Sequence, residues 1–403
     1  MVNIFDFSRM WVRIAFHFLI FSAVAGLLLR VSHVITIPIN YKNILHTHSH
    51  IAILGWMYLA FAAALVREFF PHEHIHFRKI FVATLVTIIG MIVSFPFEGY
   101  GVFSISFSTL FLFASYWFVY VFSKKLKSKG SSIANGFAFW SLFYLVLSSL
   151  GPWVLGPIKI LIGSHSIEYN LAIYYYLHFM YNGFLVLASF AIIIKKLENE
   201  GIAYSIKRAK WFFKLTVYAV LPLYALFTLW INPPAWVYIM AVIAAFSQVV
   251  ALMFGWSTLM RFKKSISRNF YRNILVLVLI AYLTKVVMQL FASFPAMAEY
   301  AYNTRVFTAI GYIHLVMLGF LTLILLIYFV DSKLFYNSNF VKLGFVMLIM
   351  GIALSESILF TNGLLISYKG ISISNYSQWL VMASSLMPIG LIMIWIKQFK
   401  KDY

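Results

Sequence analysis

Long apolar runs separated by short polar connections make up almost the whole chain. Each run is long enough to cross about 30 Å of hydrocarbon as an α-helix. The pattern predicts twelve transmembrane helices, at residues 11–31, 44–68, 78–97, 101–123, 133–156, 170–195, 211–231, 235–260, 271–294, 304–331, 340–360 and 378–397. The connections leave no room for an inserted soluble domain. We therefore expect an all-α twelve-helix bundle that forms a single polytopic membrane domain over residues 1–403.

Composition and charge fit this reading. The chain is 63% hydrophobic and 10% charged, whereas soluble domains are about one quarter charged. Of the 31 Lys and Arg residues, 25 lie at the termini or in connections that follow even-numbered helices. The opposite side holds only Arg30, Lys42, Lys159, Arg305 and Lys369. By the positive-inside rule, this bias predicts a multi-pass inner-membrane protein whose two termini both lie in the cytoplasm.

The net charge of +20 is therefore explained by topology and by attraction to the anionic lipid bilayer, and no nucleic-acid partner is expected. The first apolar run exceeds the length of a signal-peptide core, so no cleavable signal is expected.

The chain has no cysteine. This excludes disulfides, thiolate-held iron–sulfur clusters and covalent heme attachment through cysteine. Any heme or metal must be held by His, Met, Tyr or carboxylate side chains.

Histidines occur at similar depth in three even-numbered helices, which all enter the membrane from the outside. His50 lies about 9 Å into the second helix, His178 about 12 Å into the sixth and His314 about 15 Å into the tenth. Buried ionisable groups are costly in a bilayer and are usually functional, and imidazole is a common metal and heme ligand. A cofactor is favoured over simple interhelical hydrogen bonding. Nearby glycines predict space for a flat macrocycle, at Gly55, Gly183, Gly311 and Gly319.

Three short motifs carry a resemblance to a known family. They are His48-Ser49-His50-Ile51, His178-Phe179-Met180-Tyr181-Asn182-Gly183-Phe184 and Tyr312-Ile313-His314. In these segments the chain resembles subunit I of the heme-copper oxidases, most closely the C-type cytochrome oxidases and the nitric oxide reductase large subunit. The resemblance implies a low-spin heme, of b type, between the second and tenth helices. Its axial ligands would be His314 and either His48 or His50, because two residues of spacing turn the latter pair to opposite sides of the helix.

Two departures from the family weaken the case for an oxygen-reducing centre. The seventh predicted helix contains no histidine where the family has a His-His pair, and Tyr312 stands where the family has its high-spin heme ligand. Tyr312 could bind ferric heme or form a hydrogen bond within the bundle. His46 and His178 could form a separate copper or zinc site, which resembles the NnrS family of twelve-helix heme-copper proteins. No internal repeat of useful strength is evident.

Lys285 lies in the middle of the ninth predicted helix. An unpaired lysine there is costly, so we expect a heme propionate, Glu356 or a file of water as its partner.

The function expected from these residues and from the resemblance is redox or gas-responsive. Its electron partner would be a quinone or a membrane or periplasmic cytochrome. The alternative is a non-redox transporter in which the histidines and Lys285 line a proton or metal pathway.

Overall fold

The computed structural model describes residues 4–399, and these residues form helices and short connections. Within them, twelve helices are long and apolar enough to cross a membrane. They are α1 (Ile4–Val31), α2 (Tyr41–Phe69), α3 (His74–Glu98), α4 (Val102–Lys129), α5 (Ile133–Leu161), α6 (Ile167–Asn199), α7 (Ile206–Ile231), α8 (Ala235–Ser265), α9 (Asn269–Ala292), α10 (Arg305–Asp331), α11 (Asn339–Lys369) and α12 (Tyr376–Ile396). The predicted all-α twelve-helix bundle is confirmed.

Most helices continue beyond the apolar run that predicted them. The clearest case is α11, which ends at Lys369 although its apolar run ends near residue 360. Helix propagates readily once its first hydrogen-bonded turn exists, so the helix continues past the end of the apolar run. A short additional helix, Pro295–Asn303, lies between α9 and α10 and begins with a proline, which fits the first helical position because its φ is already near the helical value.

The chain divides into two compact units by its internal contacts. The first unit contains the residues up to Val121 and those from Val306 onward, and the second unit is Phe122–Arg305. The first unit therefore combines α1, α2, α3 and most of α4 with α10, α11 and α12. The second unit contains α5 to α9. The prediction of a single domain over residues 1–403 stays a prediction.

Three helices are much more enclosed than the others. In the most apolar stretch of α2, α6 and α10, 83%, 94% and 78% of the residues are buried, against at most 56% in any of the other nine described spans. A helix that is hydrophobic on all sides is a buried helix. The three enclosed helices are the three that carry the histidines singled out above.

Each of these three helices also changes its winding just after a histidine. π-Helical segments occupy Ile51–Tyr58 in α2, Phe179–Leu185 in α6 and Leu315–Thr322 in α10. They follow His50, His178 and His314 directly. π-Helical turns are rare and are often found at functional sites, so the winding marks the same positions as the histidines do.

Candidate functional site

Helices α2 and α10 are joined by hydrogen bonds at two levels within the first unit. The indole Nε1–H of Trp56 donates to Thr322 Oγ1 at 2.9 Å, and both groups are buried. Further along the two helices, the Tyr328 hydroxyl donates to Glu68 Oε1 at 2.6 Å. Buried polar contacts of this kind specify which helices pack together. They make α2 and α10 neighbours, as a ligand shared between them would require.

His48 of α2 is oriented by α1. Its Nδ1 lies 2.8 Å from the Ser22 carbonyl oxygen and 3.2 Å from the Ser22 hydroxyl. A carbonyl can only accept, so Nδ1 carries the hydrogen and Nε2 keeps its lone pair. The ring lies against Gly26, where a Cβ atom would be only 2.9 Å from His48 Cε1. The sequence therefore provides a slot on α1 for this imidazole.

His314 of α10 is placed beside an acidic residue of α11. Its Nδ1 lies 3.4 Å from Glu356 Oε1, which is an ion-pair distance and longer than a normal hydrogen bond. Gly311, one turn earlier, allows this approach because a Cβ there would lie 3.2 Å from Glu356 Oε2. His48 and His314 are close enough to interact electrostatically. The structure therefore brings together His48 and His314, one of the two predicted pairs.

A half-buried cation balances the carboxylate. Arg30 of α1 interacts electrostatically with Glu356 and with Tyr376 at the start of α12, and its guanidinium donates to Ser384 Oγ. Glu356 is only 7% exposed. A carboxylate buried to this degree requires an opposite charge or hydrogen bonds, and Arg30 supplies the charge. The sequence predicts only that Arg30 lies on the outer side, and no pattern in it connects Arg30 with the histidines.

His50 faces away from this group. Its ring centroid is 4.4 Å from that of Phe95 and 5.7 Å from that of Tyr100, at the end of α3 and just beyond it. His46, one turn earlier, contacts the same Tyr100 ring with a centroid separation of 4.4 Å. The two histidines next to His48 in sequence thus form a second cluster with different neighbours.

His178 lies in the second unit, and both of its ring nitrogens are engaged. Nε2–H donates to the Val220 carbonyl at 2.8 Å, and Nδ1 accepts from Asn182 Nδ2 at 3.3 Å. Gln289 of α9 donates in turn to Asn182 Oδ1 at 3.3 Å. The Val220 carbonyl is available because α7 tightens to a 3₁₀ turn, in which the N–H of Tyr224 bonds to later carbonyls. His178 and Asn182 of α6 together bond to α7 and α9, and His178 has no lone pair left for a ligand.

Lys285 is also in the second unit and is 2% exposed. Its ammonium lies 5.5 Å from the centroid of the Tyr282 ring and is close enough to interact electrostatically with His178. Among the described residues of this unit, no acidic side chain interacts with it. Glu356, one of its expected partners, lies beside His314 in the first unit. A heme propionate as the partner of Lys285 stays a prediction.

The other predicted features of the site are Tyr312 and the glycines close to the histidines. Tyr312 is half-buried two residues before His314, and this spacing turns the two side chains to different faces of α10. Two of the four glycines predicted to leave room for a macrocycle, Gly55 and Gly183, pack against neighbouring side chains. A Cβ at Gly55 would lie 3.0 Å from Phe18 Cβ, and one at Gly183 would lie 2.5 Å from Tyr144 Cβ. Neighbouring side chains fill the space at these two positions, and room for a macrocycle beside Gly311 and Gly319 stays a prediction.

The π-helical segments reveal a short repeat. His50, His178 and His314 are each followed after five residues by glycine, then by Trp or Phe, and then by Met or Leu. The expectation of no useful repeat was therefore wrong at this scale. The repeat is only eight residues long and recurs at irregular intervals, so it is weak in sequence. Its recurrence at the three π-helical segments makes it evident.

Comparisons with known proteins add no family. No protein-family model matches the chain, and no curated protein matches it significantly.

Proposed function

We propose that the protein is a membrane heme protein in which His48 and His314 are the axial ligands of one low-spin heme of b type. One observation carries the proposal. Both imidazoles turn Nδ1 toward an acceptor, the Ser22 carbonyl for His48 and the Glu356 carboxylate for His314. Ligating histidines characteristically use one ring nitrogen in this way, which orients the ring and raises the basicity of the other nitrogen.

The donor set favours heme over a free metal ion. Among residues 4–399, no group of three or more His, Asp or Glu side chains is arranged to hold a metal ion. A heme iron receives four ligands from its macrocycle and needs only two from protein, and two imidazoles meet that need. Bound heme supplies one-electron redox chemistry. Ser22 and Glu356 orient the rings, and Arg30 provides a cation for carboxylates.

The role that follows is electron transfer across the outer half of an inner membrane, with both termini in the cytoplasm. With His48 and His314 both holding it, a heme would have no open position for oxygen, which would suit electron transfer and disfavour oxygen reduction. The electron partner would be a quinone or a membrane or periplasmic cytochrome. His178 takes no part in this proposal, because both of its ring nitrogens are used in hydrogen bonds.

The optical spectrum of protein purified from heme-replete cells tests the proposal. We expect sharp reduced b-type bands that carbon monoxide does not shift. His314→Ala and His48→Ala should each abolish the low-spin bands. The matched control is His50→Ala, which removes an imidazole two residues from His48 and should leave the bands intact. A colourless protein would refute the proposal and favour the transporter, and so would bands that survive both His48→Ala and His314→Ala.

A further inference from the structure

An open groove lies between α7 and α8 on the exposed surface of the second unit. The two helices are joined by a buried hydrogen bond, in which Gln248 Nε2–H donates to the Thr216 carbonyl at 3.1 Å. Toward their basic ends the rings of Trp211 and Phe254 stack, with centroids 6.1 Å apart. The groove therefore lies between two helices that pack against each other, and its volume is about 460 Å³.

The groove has a floor of small side chains and walls of large ones. Ala219 and Ala244 line it and are buried. The large apolar and aromatic side chains that line it are each more than half exposed, and they are Tyr218, Trp236, Ile239 and Ile243. Small residues between large exposed ones leave an apolar furrow, which suits an extended hydrocarbon chain.

The groove is about as long as one leaflet of a bilayer. Its lining runs from Lys214 to Pro222 on α7 and from Trp236 to Ser247 on α8. At about 1.5 Å per residue, these stretches are about 12 Å and about 17 Å long. Half of a hydrocarbon core of about 30 Å is about 15 Å, so one acyl chain fits along the groove.

Lys214 places a positive charge at the end of the groove nearer the predicted cytoplasmic side. The side chain is exposed, and its ammonium lies 5.8 Å from the centroid of the Trp211 ring. Lys214 is about 12 Å along α7 from the start of the helix at Ile206. A lysine at such a depth lays its hydrocarbon stem on apolar surface and extends its charge toward the headgroups. The ammonium is therefore placed to meet a lipid phosphate.

The helices that form the groove supply no acid to pair with Lys214. α7 and α8 contain no Asp or Glu, whereas their cytoplasmic ends carry further cations at Lys207, Arg208, Lys210, Arg261, Lys263 and Lys264. The two acids that precede α7 are engaged elsewhere, since Glu198 pairs with Lys195 and Glu200 pairs with Lys196. Basic pockets between transmembrane helices on the cytoplasmic side bind acidic headgroups, so the charge of this region is complementary to an anionic lipid.

We propose that the groove binds one anionic phospholipid of the cytoplasmic leaflet. One acyl chain lies between α7 and α8, and the Lys214 ammonium holds the phosphate through charge-assisted hydrogen bonds. A second copy of the chain is the less suitable occupant, because two copies in the same membrane orientation would bring their basic helix ends together. The lipid site shares no residue with the proposed heme site and does not depend on it.

Native mass spectrometry of the detergent-solubilised full chain tests the site, with phosphatidylglycerol and phosphatidylcholine of identical acyl chains as probes. We expect one phosphatidylglycerol per chain, bound about fivefold more tightly than phosphatidylcholine. Lys214→Gln should abolish this preference, and Lys214→Arg, which keeps the charge, should retain most of it. Ser247→Phe should fill the groove and weaken the binding of both lipids. Its hydroxyl bonds within α8, to the Ile243 carbonyl at 2.8 Å, so its loss breaks no bond between helices.

The matched control is Lys264→Gln, which removes the same charge from the exposed cytoplasmic end of α8, away from the groove. It should keep the preference for phosphatidylglycerol. An equal loss in this variant would mean general attraction to a basic surface and would overturn the site. Glycerol phosphate offers the headgroup without chains and should bind far more weakly, and equal affinity would mean a free-phosphate site instead.

Three further results would overturn the proposal. The first is equal binding of the two lipids by the wild-type chain, and the second is undiminished lipid binding by Ser247→Phe. The third is a dimer that persists after lipid is removed and dissociates in Ser247→Phe, because the groove would then be occupied by a second copy of the chain.

Discussion

The buried imidazoles differ in how many of their ring nitrogens are engaged. His178 uses both nitrogens in hydrogen bonds to Val220 and Asn182, which is the pattern of a structural residue in a membrane bundle. His48 directs only Nδ1 to Ser22, and His314 has only Glu356 beside its Nδ1. The histidines that look alike in sequence therefore have different chemical capacities, which are set by the acceptors on neighbouring helices.

A methyl group at position 26 should disturb the proposed heme ligand. In Gly26→Ala the new Cβ would lie 2.9 Å from His48 Cε1, closer than such contacts normally come, so the ring must move away from its slot on α1. Misplacement of a ligand weakens a site even when its chemistry is unchanged. We expect the heme content per chain, measured by the pyridine hemochrome method, to fall severalfold. Gly156→Ala is the control, since no atom lies within 4 Å of that position, and an equal loss there would contradict the explanation.

Lys285 allows a test of whether an anion accompanies it. An isolated buried ammonium destabilises the fold, and nothing acidic in the described second unit compensates it. Lys285→Met keeps most of the volume and removes the uncompensated charge, so it should raise stability by about 1–3 kcal/mol. Thermal unfolding in detergent measures the change. A fall in stability together with loss of heme would point to a propionate partner instead.

At the scale of elements, α2, α6 and α10 combine three properties. They are the most enclosed described spans, each carries a histidine in its outer half on the proposed topology, and each has a π-helical segment directly after that histidine. The wider winding changes the register of the residues that follow. In α2 and α10 the π-helical segments themselves contain Trp56 and Thr322, which bond to each other. The winding and the helix pairing are thus parts of one arrangement.

Thr322→Val should weaken the pairing of α2 with α10. The substitution keeps the shape but leaves the buried indole N–H of Trp56 without its acceptor, at a cost of about 1–3 kcal/mol. The control is Thr87→Val, because that buried hydroxyl bonds to the Thr84 carbonyl of its own helix at 2.7 Å and leaves no donor unpaired. Denaturant or thermal unfolding compares the two variants. Equal stability losses would mean that the Trp56 bond does not stabilise the pair.

At the scale of the whole molecule, the distribution of basic residues predicts how the bundle lies in the membrane. A reporter fused after Tyr403 should report the cytoplasm, and one inserted at residues 370–375, between α11 and α12, should report the outside. The physical reason is the concentration of Lys and Arg in connections on one side. Reversed reporters would move the proposed heme site to the inner half and would exclude a periplasmic electron partner.

The sequence by itself determined the twelve helices and the candidate histidines. Both follow from properties local to each segment. An apolar run of sufficient length can satisfy its backbone in a bilayer only as a helix, and a histidine inside such a run is conspicuous because ionisable groups there are rare. The rise per residue then places His50, His178 and His314 at matched depth without knowledge of how the helices pack.

Only the tertiary structure decided which histidines act together. That outcome depends on the rotation of each helix and on partners far away in sequence, such as Ser22 for His48 and Glu356 for His314. The spacing of two residues predicts that His48 and His50 point to different sides of α2. It does not predict which of them faces α10. The packing of side chains around the glycines and the sharing of ring nitrogens at His178 are likewise contacts between helices, and helix periodicity carries no information about them.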